Sequence, residues 1–205
     1  MDLKSKIILI SGPTASGKSK AALKIAKKLN GEIINADSMQ VYKELNILTA
    51  RPSKTDLNKI DHHLYGFRSV KKEFSSGEWL KLAKKNIRKI RDKNKIPVLV
   101  GGTGLYFKAL TDGLVKIPKI PISVRDKIRR IQNKLGQKKF YLKLLKNDPL
   151  VKNKIDPTDV QRSIRAYEVM SFTKKSVFDW YTKTKPSFKK DQFIKIYVDY
   201  PKEIL

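Results

Sequence analysis

Two kinds of hydrophobic spacing alternate along the first half of the chain, and one of them dominates most of the second. Ile7-Ile-Leu-Ile10 is an unbroken apolar run of strand length, the pattern of a parallel strand buried on both faces. Ala21, Ala22, Leu23, Ala26 and Leu29 then recur at helical spacing. Glu32-Ile-Ile-Asn-Ala36 reads as a second short strand, and Ile96-Pro-Val-Leu-Val100 as another buried one. Between them Ser75-Ser-Gly-Glu78 fits a capping box, opening a helix whose apolar stripe is Trp79, Ala83, Ile87 and Ile90. Alternating strands and helices over residues 1–112 predict an α/β core, a parallel sheet flanked by helices.

From Gly113 the pattern changes. Pro118 and Pro121 mark a boundary, after which no strand-like run occurs for about 70 residues. Val124, Ile128, Ile131 and Leu135 step as a helix that Gly136 ends or breaks, and Phe140, Leu144 and Leu145 form a second stripe. Asp156-Pro157 reads as N-cap and first position of a helix carrying Val160, Ile164, Tyr167 and Val169. The expectation is an all-helical insertion over 113–190. Phe193-Ile-Lys-Ile-Tyr-Val-Asp199 then reads as a return strand, so that 191–205 rejoins the core. A doubly wound sheet normally follows such a strand with a covering helix, and the chain is therefore expected to lack a C-terminal part.

The stretch between the first strand and first helix carries the clearest chemistry. Gly12-Pro-Thr-Ala-Ser-Gly17-Lys18-Ser19 fits G-x-x-x-x-G-K-[ST] in the strand–loop–helix setting where that motif works, a P-loop. Glycines let the backbone aim several N–H groups inward, and the helix N-terminus adds its positive dipole end. Lys18 would offer a mobile charge to terminal phosphates and Ser19 its hydroxyl to a Mg²⁺ ion. A diphosphate or triphosphate is implied, and ATP is the first ligand such a loop suggests. The loop alone does not name the reaction.

Asp37 follows the second strand and so lies at the sheet edge that the P-loop occupies. A carboxylate there can take a proton or help hold a metal, or Asp37 or Ser38 simply caps a short helix containing Met39-Gln-Val-Tyr42. Gly101-Gly102-Thr103 closes the 96–100 strand at the same edge. Its glycines suggest close backbone approach and Thr103 a bond to a phosphate or base, although Gly-Gly is also an ordinary strand-to-helix turn. The adjacent His62 and His63 point to opposite faces of an extended segment, which argues for structural hydrogen bonding rather than a zinc site.

Charge adds a partner class. The net charge is +27, from 46 Lys and Arg against 19 Asp and Glu. Residues 116–185 hold 19 Lys and Arg and 6 Asp and Glu, a net +13 in 70 residues, about twice the density of the remainder. That favours a nucleic-acid face on the helical segment, over and above a lysine-rich composition. Arg125, Gln161, Arg162 and Arg165 are candidates for phosphate or base contact, against solvated surface charge. There is no cysteine and no apolar run of membrane-spanning length, so the expectation is a cytoplasmic protein without a membrane partner.

Six stretches together resemble the tRNA dimethylallyltransferase (tRNA isopentenyltransferase) family: Gly12 to Ser19, Asn35-Ala-Asp-Ser-Met-Gln-Val-Tyr42, Thr49-Ala-Arg-Pro52, His62-His-Leu64, Gly101-Gly-Thr-Gly-Leu-Tyr106 and Gln161-Arg-Ser-Ile-Arg-Ala-Tyr-Glu-Val169. The resemblance implies a P-loop NTPase-like core with a helical, tRNA-gripping insertion. It also implies transfer of a dimethylallyl group from dimethylallyl diphosphate to N6 of the adenosine 3′-adjacent to the anticodon, in the anticodon stem-loop; Mg²⁺ is the expected cofactor and a monomer the expected state. On this resemblance the diphosphate site falls on Gly12, Pro13, Thr14, Ala15, Ser16, Gly17, Lys18 and Ser19, the last also toward Mg²⁺. The general base falls on Asp37, and Thr103 lies near the reacting groups with Lys18. The tRNA contacts fall on Asp37, Ser38, Met39, Gln40, Thr103, Arg125, Gln161, Arg162, Ser163, Ile164 and Arg165. The family's C-terminal third is not matched, and Lys174-Lys175 stands where the family tends to have Gly after Thr173. The rival readings are a prenyltransferase for free adenine nucleotide, a P-loop small-molecule kinase, and a shortened, non-catalytic tRNA-binding form.

Overall fold

Unbroken apolar runs suit strands with helices on both faces, and the computed structural model, which describes residues 3–182 and 184–199, has that arrangement. Five strands, β1 (Ile7–Ser11), β2 (Gly31–Asn35), β3 (His62–His63), β4 (Ile96–Gly101) and β5 (Phe193–Tyr197), form one sheet in the order β3-β2-β4-β1-β5, every pairing parallel. Leu9 stands opposite Leu99, and Ile33 opposite Val98. Period-two alternation sorts the side chains. Ile7, Leu9, Ile34 and Leu99 pack on one face with Trp79, Ile87 and Leu110, from α3 (Ser76–Asp92) and α4 (Gly104–Thr111). Ile8, Ile10, Ile33 and Val98 pack on the other with Ala22 and Ala26 of α1 (Lys18–Lys28). A four-residue helix, α2 (Lys54–Leu57), precedes β3.

The capping box at the start of α3 is present in full, Ser75 Oγ accepting from Glu78 N and the Glu78 carboxylate from Ser75 N. Four residues into that helix Trp79 is fully buried, stacks on Tyr106 at 4.3 Å and donates its indole N–H to Asn35 O at 2.8 Å. Truncating such a side chain to alanine costs about 3–5 kcal/mol. Strand β3 is only two residues long, and the sequence pattern had indicated no more than an extended segment there.

By internal contacts the chain divides into Met1–Gly113 with Pro186–Leu205, and Leu114–Lys185. The second boundary lies five residues before the expected 190, because Phe188 already packs against the strand core of the first unit. The second unit contains α5 (Ile122–Asn147), interrupted at Gly136 with φ 70°, then α6 (Val160–Thr173) and α7 (Val177–Tyr181). Its core gathers Ile128, Phe140, Leu144, Val151 and Val169.

The start of α6 departs from expectation. Asp159, not Asp156, is the N-cap, its carboxylate accepting from Arg162 N at 2.9 Å. The Asp156 carboxylate is engaged in a tight turn, accepting from Thr158 N and Thr158 Oγ at 2.7 and 2.6 Å. At the other end Lys174 adopts the left-handed C-cap conformation, φ 59°, which glycine takes most easily. Among the described residues, no helix is long and apolar enough to cross a membrane.

Candidate functional site

Strands β1 and β4 are neighbours, and the chain leaves them toward opposite sides of the sheet, to β2 and to β5. In open α/β sheets ligands bind at the carboxyl ends of such a strand pair. The loop of residues 12–17, expected to hold phosphates, fills that position after β1. Gly12 has no alternative, since a Cβ there would lie 2.3 Å from Val198 O. Gly17 closes the loop at φ 78° as the N-cap of α1, so the helix starts with its free N–H groups facing the loop. Ser16 is buried, and its Oγ has no hydrogen-bond partner among the described residues. A buried hydroxyl left unpaired is costly unless a ligand oxygen completes it. The Lys18 ammonium donates to Pro13 O at 2.7 Å. Burial lowers the Lys18 pKa, against an upward pull from Asp37, so the two charges sense each other across the loop. Ser19 lies exposed in the first turn of α1.

At the end of β2 the backbone of Asp37 is locked by a neighbour. The buried Asn35 side chain accepts from Asp37 N at 2.9 Å and donates to Asp37 O at 2.9 Å and to Leu64 O at 3.0 Å. The Asp37 Oδ1 accepts from Met39 N at 2.9 Å, so this is a side-chain-closed turn. No helix contains residues 39–42, which overturns the helix-cap alternative: Val41 is drawn into the core and Tyr42 pairs with Arg68 in an isolated bridge. Oδ2 faces the third component of the edge. A Cβ built on Gly102 would lie 3.8 Å from Asp37 Oδ2 and 3.9 Å from Gly12 O, placing Gly102 between carboxylate and phosphate loop. Gly101 abuts Ala36, where a Cβ would meet the carbonyl at 2.2 Å. Thr103 fastens the two turns together: its N–H donates to Ala36 O at 3.2 Å, and its Oγ accepts from Ser38 N at 2.9 Å. Gln40 donates from its amide to Thr49 O at 2.7 Å.

Two tyrosines border Asp37 electrostatically. Burial, with Asp37 adding to it, raises the Tyr65 phenol, and burial followed by Tyr42, Asp37 and Glu78 pushes Tyr106 up to about 12. Both remain neutral at physiological pH. Two cavities open beside the loop within this unit. One of about 510 Å³ is bounded by Gly12, Pro13, Gly102, Phe107, Lys195 and Tyr197, and the other, of about 550 Å³, by Ser19, Lys20, Arg51, Asp56, His62 and Tyr65.

Of the predicted tRNA contacts in the helical unit, Gln161 and Arg162 are exposed on α6. Arg162 pairs with Asp159 at 3.2 Å and the half-exposed Arg165 with Glu168 at 3.3 Å. Arg125 lies in the first turn of α5 with its Nε buried and unpaired among the described residues. Ser163 does not fit the expected role. It is fully buried and accepts from the Gln137 amide at 3.2 Å, so its hydroxyl faces the helix core, and Ile164 packs partly against the same core.

Sequence reasoning assigned no role to Asn35 or to Glu32. Glu32 is an acid in an otherwise apolar strand, and a buried charge demands partners, which is the signal that could have exposed it. Its side chain is wholly buried and accepts from Lys93 and Lys95, each at 2.9 Å, and pairs with His63 at 2.7 Å. Burial alone would raise this carboxyl; the hydrogen bonds from Lys95, Lys93 and His63 outweigh it and hold it at about 2. His62 Nδ1 bonds Ile60 O, and burial lowers its pKa.

Comparison with known proteins gives a consistent picture. Residues 40–205 match a family model described as IPP transferase. The chain is 61% identical over all its 205 residues to the tRNA dimethylallyltransferase of Pelagibacter ubique (strain HTCC1062), of which it covers 66%. It is 47% identical over 190 residues, 93% of its length, to that of Rickettsia massiliae (strain Mtu5), of which it covers 52%. The chain thus spans one half to two thirds of these curated relatives. Among solved structures, a eukaryotic dimethylallyltransferase acting on tRNA superposes with a TM-score of 0.81 at 30% identity, over 97% of this chain and 50% of that one. A tRNA isopentenylpyrophosphate transferase from Staphylococcus epidermidis gives 0.57 at 32% identity, over 97% and 65%.

Proposed function

Since this chain belongs to the IPP transferase family, we propose that it carries the reacting centre of an enzyme that moves a dimethylallyl group from dimethylallyl diphosphate to N6 of the adenosine 3′ of a tRNA anticodon. The observation that supports this most directly is the meeting of the 12–17 loop, Asp37 and Gly102 at one sheet edge, where a Cβ on Gly102 would lie within 4 Å of both the Gly12 carbonyl and the Asp37 carboxylate.

An exocyclic adenine amine is a weak nucleophile, so acceleration comes chiefly from stabilising the departing diphosphate. The N–H groups of residues 12–17, the unpaired Ser16 hydroxyl and the Lys18 ammonium are the donors available for it. Lys18 leaves Pro13 O for a phosphate oxygen at no cost in hydrogen-bond count. The donor set suits a phosphate-bound Mg²⁺ held through the exposed Ser19 hydroxyl, and such an ion would supply further neutralisation of the leaving charge. As the C–O bond breaks, its electron pair leaves with the diphosphate, the N6 lone pair forms the new C–N bond, and the Asp37 carboxylate takes the N6 proton. Thr103 acts here by position, holding the Asp37–Ser38 turn against β4. The basic helical unit, through Arg125, Gln161, Arg162 and Arg165, would hold the RNA. This reading carries with it a cytoplasmic monomer that acts on tRNA.

The test is incubation of the protein with Mg²⁺, labelled dimethylallyl diphosphate and either an anticodon stem-loop or AMP. Label on the stem-loop is expected; label on AMP alone, or on neither acceptor with folded protein, defeats the reading.

A further inference from the structure

The segment that follows the Asp37 turn is tied down along its whole length. Lys43 N donates to Arg68 O at 2.7 Å, Thr49 N and Oγ both donate to Leu45 O, and Ala50 N donates to Ile47 O. The Arg51 guanidinium reaches across to Asn46 Oδ1 at 2.9 Å and to Lys43 O at 3.1 Å. The Glu44 carboxylate accepts from Ser69 Oγ and Val70 N. Gln40 fastens Thr49 to the turn that bears Asp37. What this fixed loop presents is two adjacent aliphatic side chains, Ile47 at 93% and Leu48 at 85% exposure. Single exposed apolar residues need no explanation, but a pair held out by a bonded loop cannot turn inward to escape water.

The surroundings narrow the choice of partner. Lys43, Arg51 and Lys54 stand close to the tip in sequence, with Glu44 bonded to Ser69 and Val70, on a chain whose net charge of +27 attracts polyanions. A polyanion with unpaired apolar faces fits both features, and an RNA loop is such a molecule. Reaction at an adenine requires that base to leave its stack, which opens a gap between its neighbours. We propose that Ile47 and Leu48 pack against the unpaired bases flanking the acceptor adenosine and fill the gap it leaves. Aliphatic wedges stabilise unstacked nucleic acid in this way. The inference rests on the proposed tRNA reaction and extends it to a surface outside the reacting centre.

Because both side chains are exposed, Ile47→Ser/Leu48→Ser is expected to keep the wild-type unfolding midpoint, and the milder Ile47→Leu retains the contact. Each protein is titrated with an anticodon stem-loop carrying 2-aminopurine at the acceptor position, whose fluorescence rises on unstacking, and assayed for transfer to an unmodified stem-loop. The double variant is expected to keep RNA affinity and its salt dependence, to lose most of the fluorescence rise, and to slow transfer by about tenfold. An undiminished rise with intact transfer overturns the inference and leaves the tRNA reading standing. Wild-type protein that neither binds nor labels the RNA overturns both. A wild-type dimer that the variant loses, with fluorescence unchanged, assigns the tip to a second copy of the chain and also overturns it.

Discussion

Strand β2 carries a carboxylate near each end, Glu32 at its start and Asp37 just past its finish, and their surroundings differ. Glu32 is wholly buried and saturated, with two lysines and a histidine on its oxygens. Asp37 is half-buried and uses Oδ1 for a backbone N–H, while the Cβ side of Gly102 lies toward Oδ2. The lysines differ in the same sense. Lys93 and Lys95 bond Glu32, whereas Lys18 rests on a carbonyl of its own loop. One end of the strand is closed electrostatically and serves stability. The other keeps donors, including an unpaired Ser16 hydroxyl, that a ligand can satisfy.

Substitutions at the two ends should therefore separate rate from stability. The largest effect is expected from Asp37→Asn, which removes the proton acceptor with little change in shape. Transfer to a stem-loop should fall by about 10²–10⁴ while RNA affinity and unfolding midpoint hold; a large affinity loss with the rate intact would break the assignment. Next is Glu32→Gln, expected to lower stability by about 2 kcal/mol in urea unfolding, less than a fully buried pair costs because its lysine partners reach solvent. Its rate constant per folded molecule should be unchanged.

The same pair can be separated by pH. The folded Glu32 value of about 2 lies below its ordinary 4.5, so the network's stabilisation is fully present above about 4.5 and is lost as pH falls toward 2. The stability gap between wild type and Glu32→Gln should accordingly narrow over that window; a constant gap would show that packing, not charge, holds Glu32. The smallest effect belongs to Lys93→Ala. Its ammonium is half exposed and Lys95 still serves the same oxygen, so roughly 0.5 kcal/mol is expected by thermal unfolding.

Much of the ligand end was legible in the sequence because it is built from contiguous residues. The loop between β1 and α1, the capping box at Ser75 and the break at Gly136 each depend on neighbours within a few positions, and each has the local geometry expected. The start of α6 was misread because two aspartates three residues apart can both cap, and Asp156 was taken up by its own turn. Ser163 was placed on the RNA face by its motif, yet helix phase turns its hydroxyl to Gln137, 26 residues away.

By itself the sequence determined an α/β core with a phosphate loop, a basic helical segment and a family, because those follow from local spacing and contiguous motifs. Only the tertiary structure decided which residues meet across the sheet. Parallel register brings His63 to Glu32, Leu64 to Asn35, and Gly102 between Asp37 and Gly12. No periodicity encodes those pairings, since each joins residues 29 or more positions apart through strands whose order, β3-β2-β4-β1-β5, the chain does not spell out. The two ends of β2 look alike as a list of charges, and the partners that the tertiary structure brings to each, Lys93, Lys95 and His63 at one and Gly102 at the other, make them different.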